Sequence, residues 1–346
     1  MSVEAPDLPG DPTRDGAPGT SAPDTAPDTG DTGDTAEETG TDGAAARKPV
    51  LGQRRSGWQQ GLVWAFVVIP AVALLATVPV VWGWGLGWWD VAIASVFYTV
   101  GILGVTVGYH RHFTHRSFKA RPWLRVALTI SGSMAIQGSM MAWVADHRRH
   151  HAFSDKEGDP HSPWRYGSTP WGITRGFFWA HVGWVFDRKK TNWDRFIPDL
   201  LADRALRRAS ALFGLWVTLS LLLPALLGGL LTWSWAGALT GFFWGGLVRM
   251  AVCHHVTWSI NSICHMIGSR PFRSRDQARN FWPLAILSMG ESWHNLHHAD
   301  PTCARHGVLK GQIDIAARVI WLFERVGWAS DVRWPTTRRL AALRRS

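Results

Sequence analysis

Nine of the fifteen histidines in this 346-residue chain stand at the defining positions of four short clusters, and a tenth, His112, lies inside the first. The first is His110-Arg-His-Phe-Thr-His115, the second His147-Arg-Arg-His150-His151, the third Asn261-Ser-Ile-Cys-His265 and the fourth His294-Asn-Leu-His297-His298. In HxxHH the side chains stand at i, i+3 and i+4, so on a helix three imidazoles share a face and can approach a common metal site. His110 and His115 are offset by about 140° on an ideal helix and converge only where the helix ends or distorts. Neutral imidazole suits iron, zinc, copper and nickel alike. Nine such donors exceed the needs of one ion and suggest two. A single HxxHH on a basic loop is more often a solvated face, but repeated boxes in a common setting favour the metal.

Other residue types narrow the chemistry. Cys253, Cys264 and Cys303 show no CxxC spacing, so they offer neither a disulfide framework nor a thiolate metal site. Carboxylate-rich di-iron bundles use Glu on two helices plus two ExxH motifs, and this chain has one, Glu291 with His294. Asp146, Glu291 and Asp300 stand beside boxes and are expected to orient ligand histidines by accepting hydrogen bonds. The remaining histidines, His112, His161, His181, His254, His255 and His306, are expected in supporting or structural roles. Haem ligation by His254 or His255 would need facing histidines on a second span, and none is present.

The elements that must position the boxes are apolar. Four stretches, near 61–81, 88–109, 211–231 and 235–253, are long enough to cross a bilayer core of about 30 Å. The first two and the last two are joined by short, Trp-rich links without Lys or Arg, which makes two hairpins with both tips on one side. The opposite side is basic and carries every box, so the positive-inside rule makes it cytoplasmic, with both termini. A weaker stretch, about 121–145, is interrupted by Arg125 and Gln137 and reads as an interfacial helix, with a fifth full span as the alternative. Residues 1–48 hold eleven acids and three bases in Asp/Thr/Gly/Pro repeats, the composition of a disordered tail with no signal-peptide pattern, so the first span is expected to act as its own signal. The rest carries 33 bases against 15 acids. With 46% hydrophobic residues and 23 Trp, that excess fits a membrane surface and excludes nucleic acid as the expected partner. The expected fold is an all-α integral membrane protein. It has four transmembrane helices in two hairpins and a cytoplasmic helical cap, 110–210 and 255–330, holding a histidine-rich dimetal site. The membrane domain spans 49–330, and 331–346 form a basic C-terminal tail.

The boxes HRHFTH, HRRHH and HNLHH, with NSICH before the last, resemble the membrane-bound fatty acyl desaturases, specifically the stearoyl-CoA (delta-9) branch of bacterial type. The resemblance covers about residues 60–310 and includes Gly158-Asp-Pro-His161, the segment from Gly176 to Trp184, and Gly290-Glu-Ser-Trp-His294. It implies nine ligands to two irons: His110, His115, His147, His150, His151, His265, His294, His297 and His298, with Asn261 acting through water. It also implies a reaction in which dioxygen and two external electrons remove two hydrogens from a saturated chain. A substrate tunnel is implied to bend at Gln137, Trp143 and Thr257 and to end at Tyr98 and Ile102. Head-group binding is implied for Arg188 and Lys189. Two positions depart from the family: Ala145 stands where an Arg contacts coenzyme A phosphates, and Gly138 where an Asn follows the bend Gln. Acyl-CoA is the first expected substrate, with an acyl lipid or acyl carrier protein open. No haem or flavin motif is visible, so electrons are expected from ferredoxin with its reductase, or from a flavoprotein. The expected location is the bacterial plasma membrane.

Two rival functions remain. The same boxes serve hydroxylases, ketolases and alkane monooxygenases. A histidine-rich metal transporter would place polar groups along a path across the bilayer, whereas these boxes lie on one face.

Overall fold

A computed structural model describes residues 48–83 and 85–345. The acidic tail lies outside the described residues, apart from its last position. Helix α1, Gly57–Gly83, is followed by α2, Trp88–Leu103, which continues without a break into a π-helix over Gly104–Thr114. After β2, Lys119–Ala120, come α3, Pro122–Ser133, and α4, Met140–Phe153. Helix α5 is Pro170–His181 and α6 is Phe213–Thr232. Helix α7, Trp235–Gly241, passes through a second π-helix, Phe242–Val248, into α8, Arg249–Ser262. The last boxes and the C-terminal segment add α9, His294–Ala299, α10, Ile315–Arg325, and α11, Thr337–Leu343. The strands are marginal: β1, Val50–Arg54, pairs antiparallel with β3, Lys189–Thr191, and β2 pairs with β4, Ala329–Ser330.

Among the described residues, four helical runs are long and apolar enough to cross a membrane: Gly57–Val80, Trp88–Thr114, Phe213–Thr232 and Trp235–His265. They form the two expected hairpins, turning at 85–87 and at Trp233-Ser234. The second and fourth runs have 27 and 31 residues. At 1.5 Å per residue these reach about 40 and about 46 Å, beyond the roughly 30 Å that a bilayer core requires. The first and third boxes were expected beyond the spans. They stand instead on the protruding ends of these same helices, which gives them rigid carriers. Those two runs are also the more enclosed, 44% buried against 11% for the first.

Close helix contact depends on missing side chains. A Cβ on Gly104 would lie 2.1 Å from the Gly132 nitrogen, and one on Gly228 would lie 2.2 Å from the Gly237 carbonyl oxygen. Small residues let transmembrane backbones touch in this way. The single interfacial helix expected at 121–145 is corrected to two: α3 and α4 are separated by a break at 134–139. Ile136 and Gly138 there have φ of 59° and 104°, which a continuing helix does not permit. Ser139 then caps α4 by accepting from the Ala142 amide.

Candidate metal centre

The π-helix answers the spacing problem of the first box. Its hydrogen bonds run from i to i+5, so residues five apart fall about one turn apart on one face. The His115 amide bonds to the His110 carbonyl at 3.2 Å, and the two imidazoles come to 4.9 Å between ring centres. Helix α4 presents His147, His150 and His151, and α9 presents His294, His297 and His298, each at the i, i+3, i+4 offsets. His265 ends the short 3-10 turn that follows α8.

All nine box histidines converge on two adjoining clusters. His110, His115, His147, His151 and His297 make one; His150, His265, His294 and His298 make the other. Nε2 atoms meet Nε2 atoms: His297 lies 3.0 Å from His110 and 2.9 Å from His151, and His151 lies 3.2 Å from His147. In the second cluster His294 lies 3.2 Å from His265 and 3.0 Å from His298. A ring nitrogen carries one proton or one in-plane lone pair, so it can take part in one hydrogen bond. His151, His294 and His297 each exceed that capacity, which hydrogen bonding alone cannot satisfy and a shared cation can. Donors about 2.1 Å from an ion and at right angles to each other stand about 3.0 Å apart, whereas tetrahedral donors stand about 3.4 Å apart. The observed edges lie in the range that ligands of a shared ion occupy.

Burial is the first cause that pushes His115, His147, His151, His294, His297 and His298 well below the ordinary histidine pKa, and neighbouring imidazoles add to it. These rings are therefore neutral, the form that ligates metals. Carboxylates fix several from behind. His110 Nδ1 meets Glu291 at 2.6 Å, His150 Nδ1 meets Asp159 at 3.0 Å, His265 Nδ1 meets Asp155 at 3.0 Å and His298 Nδ1 meets Asp276 at 2.5 Å. Each such contact leaves Nε2 facing the cluster. Burial opposes the charge on Glu291, yet His110, Arg111 and His306 outweigh it and hold the carboxyl well below its usual range.

Glu291 thus stands where its position beside a box suggested, but Asp146 and Asp300 do not. Asp146 accepts from the Thr191 hydroxyl at 2.6 Å, and Asp300 accepts from Arg339 and from Thr302. Adjacency in sequence turns these carboxylates away from the imidazoles, because a neighbouring residue on a helix or cap points elsewhere. The residues missed are Asp155, Asp159 and Asp276. Asp159 carried a signal as part of Gly158-Asp-Pro-His161, and Asp276 carried none. Among the six other histidines, His306 joins Glu291 and His110, His161 joins His150 and Asp159, and His112 bonds the Phe118 carbonyl. His181 pairs with His255 at 2.9 Å, apart from the clusters.

Two cavities adjoin the clusters and share Trp143, His147, Thr257 and Asn261 as walls. The larger, about 260 Å³, also contains Gln137 and is bounded by Leu62, Val63 and Phe66 of α1. Gln137 Nε2 and Thr257 Oγ1 are buried without a partner. The smaller, about 40 Å³, is lined by Ile102 and Thr106 of the second run and by Ser288. Tyr98, expected beside Ile102 at the blind end, lines neither; its hydroxyl donates to the Leu287 carbonyl at 2.6 Å. Arg188 and Lys189 line a separate open cavity of about 410 Å³ together with Arg54 and Arg165.

Comparison with known proteins agrees with this geometry. The fatty acid desaturase family model matches residues 86–308. A hex-5-enoyl-[acyl-carrier protein] acetylenase of Moorena producens (strain JHB) is 38% identical over 277 residues, 80% of this chain and 86% of the relative. Delta-9 acyl-lipid desaturase 1 of Arabidopsis thaliana is 38% identical over 266 residues, 74% of this chain and 80% of the relative. The sn-1 stearoyl-lipid 9-desaturase of Synechocystis sp. is 34% identical over 284 residues, 81% and 82% of the two chains. Two imidazole clusters at the end of a four-span bundle, bordered by an apolar cavity, are therefore the site of a protein that belongs to the fatty acid desaturase family.

Proposed function

We propose that this protein introduces a cis double bond at the delta-9 position of a saturated acyl chain carried on a membrane glycerolipid. It would use two irons, dioxygen and two electrons from a separate donor, ferredoxin with its reductase or a flavoprotein. The observation that carries the reading is the pair of histidine clusters opening on a cavity that contains Gln137, Trp143 and Thr257. The five-histidine and four-histidine sets would each hold one iron, with Asn261 in the wall of both adjoining cavities. Bound iron with dioxygen supplies an oxidant strong enough for an unactivated C–H bond. The balance is one saturated chain, dioxygen, two electrons and two protons giving one unsaturated chain and two waters.

The chain's own residues supply position. Apolar walls bind the methylenes and exclude water, and the shared wall at Trp143 and Thr257 presents one carbon pair to the clusters. The carrier reading draws on α1: Leu62, Val63 and Phe66 belong to a membrane-spanning run, so the larger cavity has a bilayer-facing wall through which a lipid tail can enter. The relatives named for acyl-lipid substrates point the same way, as does Ala145 in place of a coenzyme A contact. Acyl-CoA is the second reading, and the cationic cavity of Arg54, Arg165, Arg188 and Lys189 favours it, since those groups suit phosphates. The charge distribution supports cytoplasmic termini and a cytoplasmic site in the plasma membrane. It also supports the reading of 49–330 as one membrane domain.

The test is expression in a bacterial host that lacks unsaturated chains of this type, with separation of glycerolipid and acyl-CoA pools after a short stearate pulse. New 9-unsaturated chains should appear first in glycerolipid and be absent with His297→Ala. Hydroxylated chains in place of alkenes would overturn the desaturase reading, and first appearance in acyl-CoA would overturn the carrier.

A further inference from the structure

The break between α3 and α4 leaves backbone carbonyls that no helix satisfies, in a setting where water is scarce. Each must find a donor or carry a large desolvation cost. Two residues of the fourth membrane run provide them. Arg249, 3% exposed, donates through Nη1 to the Met134 carbonyl at 3.0 Å, through Nη2 to the Ser220 carbonyl at 3.1 Å and hydroxyl at 2.9 Å, and through Nε to the Gly245 carbonyl at 2.9 Å. No carboxylate among the described residues is its partner, so the guanidinium serves as a fork of donors to three backbone oxygens and one hydroxyl. Ser220 of α6 in turn donates to the Met134 carbonyl at 2.6 Å. One turn and a half along the fourth run, His254 Nε2 donates to the Ile136 carbonyl at 2.9 Å, and its ring stacks on Trp258 at 4.9 Å.

An intramembrane Arg and a buried His are thus both spent on one six-residue break. Directly after the second of these anchored carbonyls comes Gln137, whose amide nitrogen has no partner among the described residues and which lines the larger cavity with Ile136, Gly138, His254, Thr257 and Trp258. Ile136 adopts a left-handed φ of 59° that a bulky β-branched residue does not favour, so the surroundings must impose it.

We infer that Arg249 and His254 are positioning residues that fix the depth of the 134–139 break, and with it the place where Gln137 bends the acyl chain and the carbon pair that faces the metals. The inference rests on the desaturase reading for its chemistry and on the hydrogen bonds alone for its anchoring. His254 is the cleaner probe, because Leu keeps bulk while removing the donor and Gln returns an N–H at similar reach.

The experiment has two arms. In cells, double-bond positions are located by mass spectrometry of dimethyl disulfide adducts for wild type, His254→Leu and His254→Gln. In purified protein, amide hydrogen exchange is followed across 134–139, with iron content measured on the same samples. His254→Leu should raise the fraction of bonds displaced by one or two carbons about tenfold, the equivalent of about 1.4 kcal/mol in register. It should speed exchange in the break at unchanged iron content, and His254→Gln should restore both. Faster exchange with an unchanged product position would show that the break does not set the register. Unchanged exchange would remove His254 as its anchor. Absence of any double bond from the wild type would sink the desaturase reading instead, and the exchange arm would still decide the anchoring.

Discussion

A histidine becomes a metal ligand only when its ring is held neutral, aimed and kept from its neighbours, and in this protein carboxylates do the aiming. Asp276 touches His298 Nδ1 directly, while Asp300, two residues beyond the same box, bonds Arg339 instead. Removal of an outer partner of a ligand histidine typically costs 10- to 100-fold in metal affinity. Asp276→Ala should therefore weaken metal retention by about that range in a chelator competition, and Asp300→Ala should leave it unchanged. Equal losses would return Asp300 to the role that its sequence position suggested. The histidine clusters themselves were legible because repeated spacing is a local signal. The carboxylate behind each ring was legible only for Glu291 and, in part, for Asp159. Asp276 reaches the box from a loop 22 residues away, and no local pattern encodes such a meeting.

At the scale of elements, the sequence showed that His110 and His115 needed a distorted helix without showing which distortion. The π-helix over Gly104–Thr114 supplies it, and its extra backbone atoms per turn leave no trace in hydrophobic periodicity. The hairpins were legible from apolar run length and Trp-rich turns. The lengths of the second and fourth runs were not, because His, Asn and Ser in the boxes lower hydropathy while the helices continue. The α3–α4 break was hidden for a related reason: Gln137 and Gly138 read as interruptions of one helix rather than its end. Ile102 tests how the second run shapes the chain cavity. It is 2% exposed and lines the smaller cavity near the clusters. Each additional buried methylene contributes about 0.8 kcal/mol, several-fold in preference. Ile102→Ala should shift products toward the longer chain when 16- and 18-carbon substrates compete, with the double bond still counted from the carboxyl end. An unchanged ratio in gas chromatography would take Ile102 out of the cavity's end.

The whole molecule separates tasks along the bilayer normal. Apolar helices border the cavities, and their prolongations together with α4 and α9 carry the histidine clusters. The β1–β3 pair brings Arg54 alongside Arg188 and Lys189 at one edge of the cap. Exposed cations of this kind bind phosphates with an energy that salt screens over about 10 Å at 0.1 M. Arg188→Ala with Lys189→Ala should raise the apparent KM for a phosphate-bearing substrate, more at low salt than at high salt, with kcat preserved. A salt-independent, unchanged KM would show that this edge does not meet the head group.

The central claim is that nine histidines hold two ions of iron rather than one structural zinc. Elemental analysis of the purified, catalytically active protein decides it most directly. The account predicts roughly two irons per chain, from a ligand set too large for one ion and edges of 2.9–3.2 Å between donors. A reproducible single zinc per chain in protein that still forms double bonds would contradict it.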